Sequence, residues 1–131
     1  MPRRLLKTRT FCRWMRKTQL DDAALSGAVD EMERGLVDAD LGGNVYKKRV
    51  ALPGRGKRGS VRTILATNRD DRWFFLYGFE KNERENITQT ELTALRCLAQ
   101  DLLSCPDAAL EVALASGELT EICHDKTEQN S

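Results

Sequence analysis

The sequence predicts an α+β fold: a small antiparallel sheet of three or four strands with helices packed on one face. Apolar residues recur at helical spacing in residues 10–35 and again in residues 88–117. The stretch between them has short apolar runs rich in Val, Ile, Thr and aromatic residues, separated by glycine-rich or polar turns. Helices segregated from a group of sequential strands are typical of this class. A length of 131 residues fits one domain spanning residues 1–131.

Two helices are expected before the sheet, with a short strand over Leu5–Arg9 ahead of them. The apolar positions of the first helix lie on one face because they fall at i, i+3 and i+4: Phe11, Trp14 and Met15. Asp21 or Asp22 can cap the second helix, and Gly35 makes a suitable stop. Its apolar positions also keep helical spacing: Ala24, Leu25, Ala28, Val29 and Met32.

Three strands are expected in the middle of the chain, over Val45–Leu52, Val61–Thr67 and Arg72–Phe79. The glycine-rich segment Pro53–Ser60 joins the first two, and the turn Asn68–Asp71 joins the second to the third. Sequential strands with short connections predict an antiparallel meander.

Two further helices follow the strands. Thr88 and Glu91, three residues apart, form a plausible capping box for the first of them. Pro106 opens the second, Gly117 closes it, and the acidic tail from about residue 118 is expected to be flexible.

Positive charge is concentrated in the first half of the chain. Residues 1–72 contain 17 Lys and Arg against 9 Asp and Glu, whereas residues 73–131 contain 4 against 11. Nine basic residues lie between positions 47 and 72, with only two acids: they occupy positions 47, 48, 49, 55, 57, 58, 62, 69 and 72. Such a local excess favours a polyanionic partner, most often a nucleic acid, because phosphate contacts release counterions.

Several function classes have little support in the sequence. No apolar run approaches the roughly 18 residues of a membrane span, and the basic N-terminus lacks a signal-peptide core, so we expect a cytosolic protein without a membrane partner. The four cysteines show no CxxC spacing, and the single histidine, His124, lies in a polar tail. We therefore expect neither a metal site nor a cofactor, and no nucleophile activated by histidine.

The alternation of side chains along a strand predicts which side of the sheet each cation faces. Lys48 and Val50 should point to one side of the sheet and their neighbours to the other. The residues expected to gather on one concave surface are Lys47, Arg49, Arg62 and Tyr77. Lys57 and Arg58 would project from the glycine-rich loop at its rim.

A cationic surface of this kind has two possible uses. It can bind phosphates without regard to sequence, or it can cleave RNA by transesterification. Cleavage needs a base for the 2′-hydroxyl, charge stabilisation at phosphorus and protonation of the 5′-oxygen. A lysine among cationic neighbours can exchange protons, whereas arginine binds phosphate oxygens. Composition alone leaves the choice open.

Three stretches together resemble the RelE/ParE superfamily of bacterial type II toxins, in a HigB/RelE-like branch: DADLGGNVYKKRVALPGRGKRGSVRTI, RWFFLYGFEKNERENIT and ELTALRCLAQDLL. The resemblance runs from about Phe11 to Leu103, and GRGKRGSVR and YGFEKNERENI are its most specific parts. It implies a metal-independent endoribonuclease that enters the ribosomal A site and cuts translated mRNA. It also implies a cognate antitoxin, usually a helix-turn-helix protein in this branch.

The resemblance, together with the expected placement of the cations on the strands, leads to the following roles. The residues expected to be catalytic are Lys57, Arg62 and Lys81, and those expected to bind RNA are Lys47, Lys48, Arg49, Arg58 and Tyr77. The chain departs from many members at Asn82, where they carry arginine, and at Ile87, where some carry tyrosine. These departures leave the general acid and base unassigned. The alternative function is a non-catalytic toxin that inhibits a protein target such as gyrase, or a degenerate toxin.

Overall fold

The computed structural model describes residues 3–52 and 59–122. That part of the chain contains four helices and six strands. In chain order they are β1 (Arg4–Thr8), α1 (Arg9–Met15), α2 (Asp22–Glu33), β2 (Ala39–Gly42), β3 (Val45–Ala51), β4 (Ser60–Thr67), β5 (Arg72–Glu80), α3 (Gln89–Ser104), α4 (Asp107–Ser116) and β6 (Leu119–Glu121). The three predicted central strands are present with ends that agree to within one residue. No helix in the described ranges is long and apolar enough to cross a membrane.

The strands form one mixed sheet in the order β2-β3-β4-β5-β1-β6. Strands β3 to β5 make the predicted antiparallel meander, and β2, which was not predicted, pairs antiparallel with β3. β1 pairs parallel with β5, and β6 pairs antiparallel with β1. The expectation of three or four strands was therefore too low. Residues Leu119–Glu121, expected to be part of a flexible tail, form the edge strand on β1. His124 lies outside the described residues.

Helices cover both faces of the sheet, so the prediction that they pack on one face was wrong. Residues of α1 and α2 share a core with one set of strand side chains, and residues of α3 and α4 share a core with the other. On β4, Leu65 belongs to the first core while its neighbours Ile64 and Ala66 belong to the second. A continuous apolar run of this kind is typical of a strand that is buried on both sides. We call the two sides the α1/α2 face and the α3/α4 face.

A β-bulge changes the direction of one predicted site residue. Ile64 pairs with Tyr77, but the next residue of β4, Leu65, pairs with Phe75, so Leu76 is the extra residue. Strict alternation from Phe75 would place Tyr77 on the α1/α2 face. The bulge instead brings it to the α3/α4 face, where it packs with the second core.

The start of α3 has the predicted capping box. The Thr88 hydroxyl accepts a hydrogen bond from the Glu91 backbone N–H at 3.1 Å, and the Thr88 N–H donates to the Glu91 carboxylate at 2.7 Å. These two contacts satisfy donors that would otherwise lack partners at the helix start. They also fix the position of the Glu91 side chain, which contributes to the site described next.

Candidate nucleic-acid interface

Two rows of residues cross β3, β4 and β5 on the α3/α4 face. By register, the first row is Lys47, Ile64 and Tyr77, and the second is Arg49, Arg62 and Phe79. We call these six residues the cationic grid. Directly opposed side chains on neighbouring strands have Cβ atoms about 5 Å apart, and diagonal neighbours are within reach of long side chains. The register thus confirms that the four residues predicted to share a surface do so, while their roles stay predictions.

The grid cations have no internal partners in the described part of the chain. Eight ion pairs are found there, and none includes the side chain of Lys47, Arg49 or Arg62. Arg49 is exposed, and the other two are half-buried. The backbone N–H of Arg49 donates to Asp38, but its guanidinium does not take part. Three cations held together without counter-charges repel one another, and an approaching polyanion would relieve that repulsion.

Lys48 does not belong to this surface. It lies on the α1/α2 face, its side chain is 8% exposed, and its ammonium pairs with Glu31 of α2 at 2.7 Å. A lysine is rarely buried without a partner, since taking an isolated charge out of water is costly. Lys48 therefore joins α2 to β3, and we remove it from the predicted RNA-binding set.

Two other members of the basic cluster also have internal contacts. The guanidinium of Arg72 donates to the backbone carbonyls of Leu102 and Cys105, at 2.9 and 2.8 Å, and pairs with Asp107 at 2.8 Å. It thereby satisfies carbonyl groups at the end of α3. Arg69 lies over the Tyr46 ring, 5.0 Å from its centroid. Arg72 therefore has a structural role, and the Tyr46 ring beneath Arg69 belongs to the first core, not to the grid.

The remaining predicted residues are only partly placed. Lys57 and Arg58 lie outside the described residues. Lys81 lies in the turn after β5 and lines a cavity of about 580 Å³ together with Ser60, Asn82 and Glu85. Ser60 is the first residue of β4, so this cavity lies at the end of that strand. Ile87, one of the departures from the family pattern, packs against the second core.

Sequence reasoning missed Arg84, which lies against the grid. One terminal nitrogen of its guanidinium donates to the Tyr77 hydroxyl oxygen at 3.0 Å. The same cation is 5.8 Å from the centroid of the Phe79 ring and 6.0 Å from that of Tyr77, within the range of cation–π attraction. Arg84 also pairs with Glu91 at 2.5 Å and donates to the Asn86 carbonyl at 3.0 Å. The only signal for this contact in the sequence is that Arg84 precedes the predicted helix start at Thr88 and Glu91 follows it, with opposite charge.

Arg84 and Glu91 each shift the pKa of the other so that the charged form is favoured. The guanidinium, followed by the Thr88 N–H, lowers the pKa of Glu91 to about 2, and the carboxylate in turn raises the pKa of Arg84. Both groups are therefore charged at neutral pH. No group of three His, Cys, Asp or Glu side chains in residues 3–52 and 59–122 is arranged to hold a metal ion.

A comparison with protein families identifies the family of this chain. Residues 3–122 match the family described as the RelE toxin of the RelE / RelB toxin-antitoxin system. The chain belongs to the RelE toxin family. A search of curated proteins gives no significant match. Membership confirms the resemblance to RelE-type toxins and makes this chain a toxin of a toxin–antitoxin system, with an antitoxin as its implied partner. Assignment to the HigB-like branch stays a prediction.

Proposed function

We propose that this RelE-family toxin is an endoribonuclease that cuts translated mRNA in the ribosomal A site, without a metal ion. The observation that supports the proposal best is the cationic grid: Lys47, Arg49 and Arg62 share one face and have no counter-charge in the described part of the chain. A surface of closely spaced, unneutralised cations suits a phosphodiester backbone.

The reaction we propose is transesterification. The 2′-oxygen of one nucleotide gives up its proton and bonds to the adjacent phosphorus, while the bond from phosphorus to the 5′-oxygen breaks and that oxygen takes up a proton. The products are a 2′,3′-cyclic phosphate and a free 5′-hydroxyl. Negative charge accumulates on the non-bridging oxygens during the reaction, and fixed cations lower the barrier by stabilising it.

Arg62 has the central place in this proposal because Arg49 lies beside it on β3 and Lys47 diagonally across. The two guanidiniums can bind non-bridging oxygens through paired N–H groups. Lys47 is the only lysine of the grid, and Lys57 and Lys81 stay candidates from the sequence. Which lysine serves as base or acid is left open in the proposal, as is the helix-turn-helix character of the antitoxin.

The proposal is tested by expressing the wild type and Arg62→Ala and mapping cuts on translated transcripts by primer extension. We expect codon-aligned cuts from the wild type and at least about a tenfold loss in the variant, since one lost transition-state contact of about 1.4 kcal/mol has that effect. Arg34→Ala is a matched control, because Arg34 is exposed at the end of α2. Growth arrest without cuts would overturn the nuclease proposal and favour inhibition of a protein target. Equal cutting by Arg62→Ala would overturn its central role.

A further inference from the structure

The hydroxyl of Tyr77 acts as a hydrogen-bond acceptor towards Arg84. Its oxygen accepts from Arg84, and no acceptor for its own proton is found in the described part of the chain. A phenol that accepts one hydrogen bond still has a proton to donate, and the accepted bond from a cation strengthens it as a donor. Tyr77 is half-buried on the α3/α4 face, in the same row as Lys47 and Ile64, so its side chain belongs to the grid.

Arg84 is held too firmly to be a simple phosphate ligand. Its Nε donates to the Asn86 carbonyl, one terminal nitrogen contacts both Tyr77 and Glu91, and the other contacts Glu91. The bidentate pair with Glu91 fixes the plane of the guanidinium. Glu91 is in turn fixed by the capping box at the start of α3. The chain of contacts therefore runs from the helix start to the Tyr77 hydroxyl.

We infer that Arg84 and Glu91 are positioning residues that orient the Tyr77 hydroxyl as a hydrogen-bond donor to a phosphate oxygen of RNA bound on the cationic grid. The inference rests on the proposed function for the identity of the ligand. It adds Arg84 and Glu91 to the predicted RNA-binding site, and it gives Tyr77 a hydrogen bond to the RNA backbone.

The test measures affinity for a short 2′-O-methyl oligoribonucleotide, which cannot undergo transesterification. Tyr77→Phe should weaken binding about tenfold, because a hydrogen bond to a charged phosphate is lost. Glu91→Gln removes the ion pair, but glutamine can still complete the capping box, so the helix start is kept. It should weaken binding several-fold in a protein that is still folded, with a melting temperature only modestly lower because the lost ion pair is partly exposed. Asp101→Asn, at an exposed position of α3, is the matched control and should bind like the wild type.

The double variant separates positioning from a structural role. If Glu91 acts through Tyr77, Glu91→Gln should have no further effect in the Tyr77→Phe background. Arg84→Lys keeps the charge but lacks the planar fork, so it should behave like Glu91→Gln.

Three results would overturn the inference: multiplicative effects in the double variant, wild-type affinity for Tyr77→Phe, or no binding of the oligonucleotide by the wild type. Absence of cleavage with binding retained would remove only the proposed nuclease function. The binding measurement would then still decide the role of Tyr77.

Discussion

Replacing Gly78 with alanine should destabilise the toxin through a single steric contact. Gly78 is on β5 between Tyr77 and Phe79, and α1 packs over it on the opposite face. A Cβ at this position would lie 2.2 to 2.5 Å from three ring carbons of Trp14, far inside van der Waals contact. The ring would have to move, and it packs against Phe11 with the centroids 5.3 Å apart.

The expected cost follows from two opposing effects. Overpacking of this severity costs about 3 kcal/mol. Alanine recovers about 0.5 to 1 kcal/mol, because it restricts the unfolded chain more than glycine does. The net loss is about 2 kcal/mol, which for a chain of this length lowers the melting temperature by about 8 °C. Because Gly78 separates two grid residues, the shift of β5 should also weaken RNA binding.

Thermal and urea unfolding of four proteins test this reasoning: the wild type, Gly78→Ala, Trp14→Ala and the double variant. Trp14→Ala removes the ring that the new methyl group would meet, so Gly78→Ala should cost less than about 0.5 kcal/mol in that background. Equal costs in the two backgrounds, or no destabilisation of the wild type by Gly78→Ala, would refute the assignment of this contact.

Two other predictions follow from the ion pairs. Lys48→Met should leave RNA cleavage and the melting temperature close to those of the wild type, because Lys48 faces α2, methionine keeps the packing of its apolar stem, and the remaining Glu31 carboxylate is 47% exposed and stays hydrated; a large loss of cleavage in the primer-extension assay would return Lys48 to the site. The Arg84–Glu91 pair should stabilise the fold above about pH 4.5 and lose its effect as the pH falls towards 2, since the folded-state pKa of Glu91 is below its ordinary value. Melting temperatures measured across this range should therefore fall less steeply for Glu91→Gln, and parallel curves would contradict the assignment.

Local signals in the sequence were sufficient for much of the fold. The capping box of Thr88 and Glu91 and the glycine stop at Gly117, with its φ of 84°, depend on neighbouring residues only and are found as predicted. The parallel pairing of β1 with β5 joins segments more than 60 residues apart, and no local pattern specifies it. The apolar run Ile64–Ala66 of β4 is typical of a strand buried on both faces, and the expectation of a one-sided helix layer did not take it into account.

The site was harder to derive because its membership depends on tertiary contacts. Alternation correctly separated Lys48 from its neighbours, but only the packing of α2 supplies Glu31 as its partner. Tyr77 reaches the grid through a bulge that strict alternation does not show. Arg84 contacts Tyr77 and Glu91, each seven residues away, across the turn between β5 and α3. Such a contact can be predicted only when the conformation of that turn is known.

The salt dependence of RNA affinity tests most directly whether the grid cations bind the phosphate backbone. For single-stranded RNA, each neutralised phosphate contributes about 0.7 to the slope of log K against log salt concentration. Replacing all three grid cations with alanine should therefore reduce the slope by about 2. Replacing Arg13, Arg16 and Lys17 with alanine removes the same charges from exposed positions at α1 and the residues just after it, and should leave the slope nearly unchanged. An unaltered slope in the grid variant, or equal reductions in both, would contradict a phosphate-binding role for the grid.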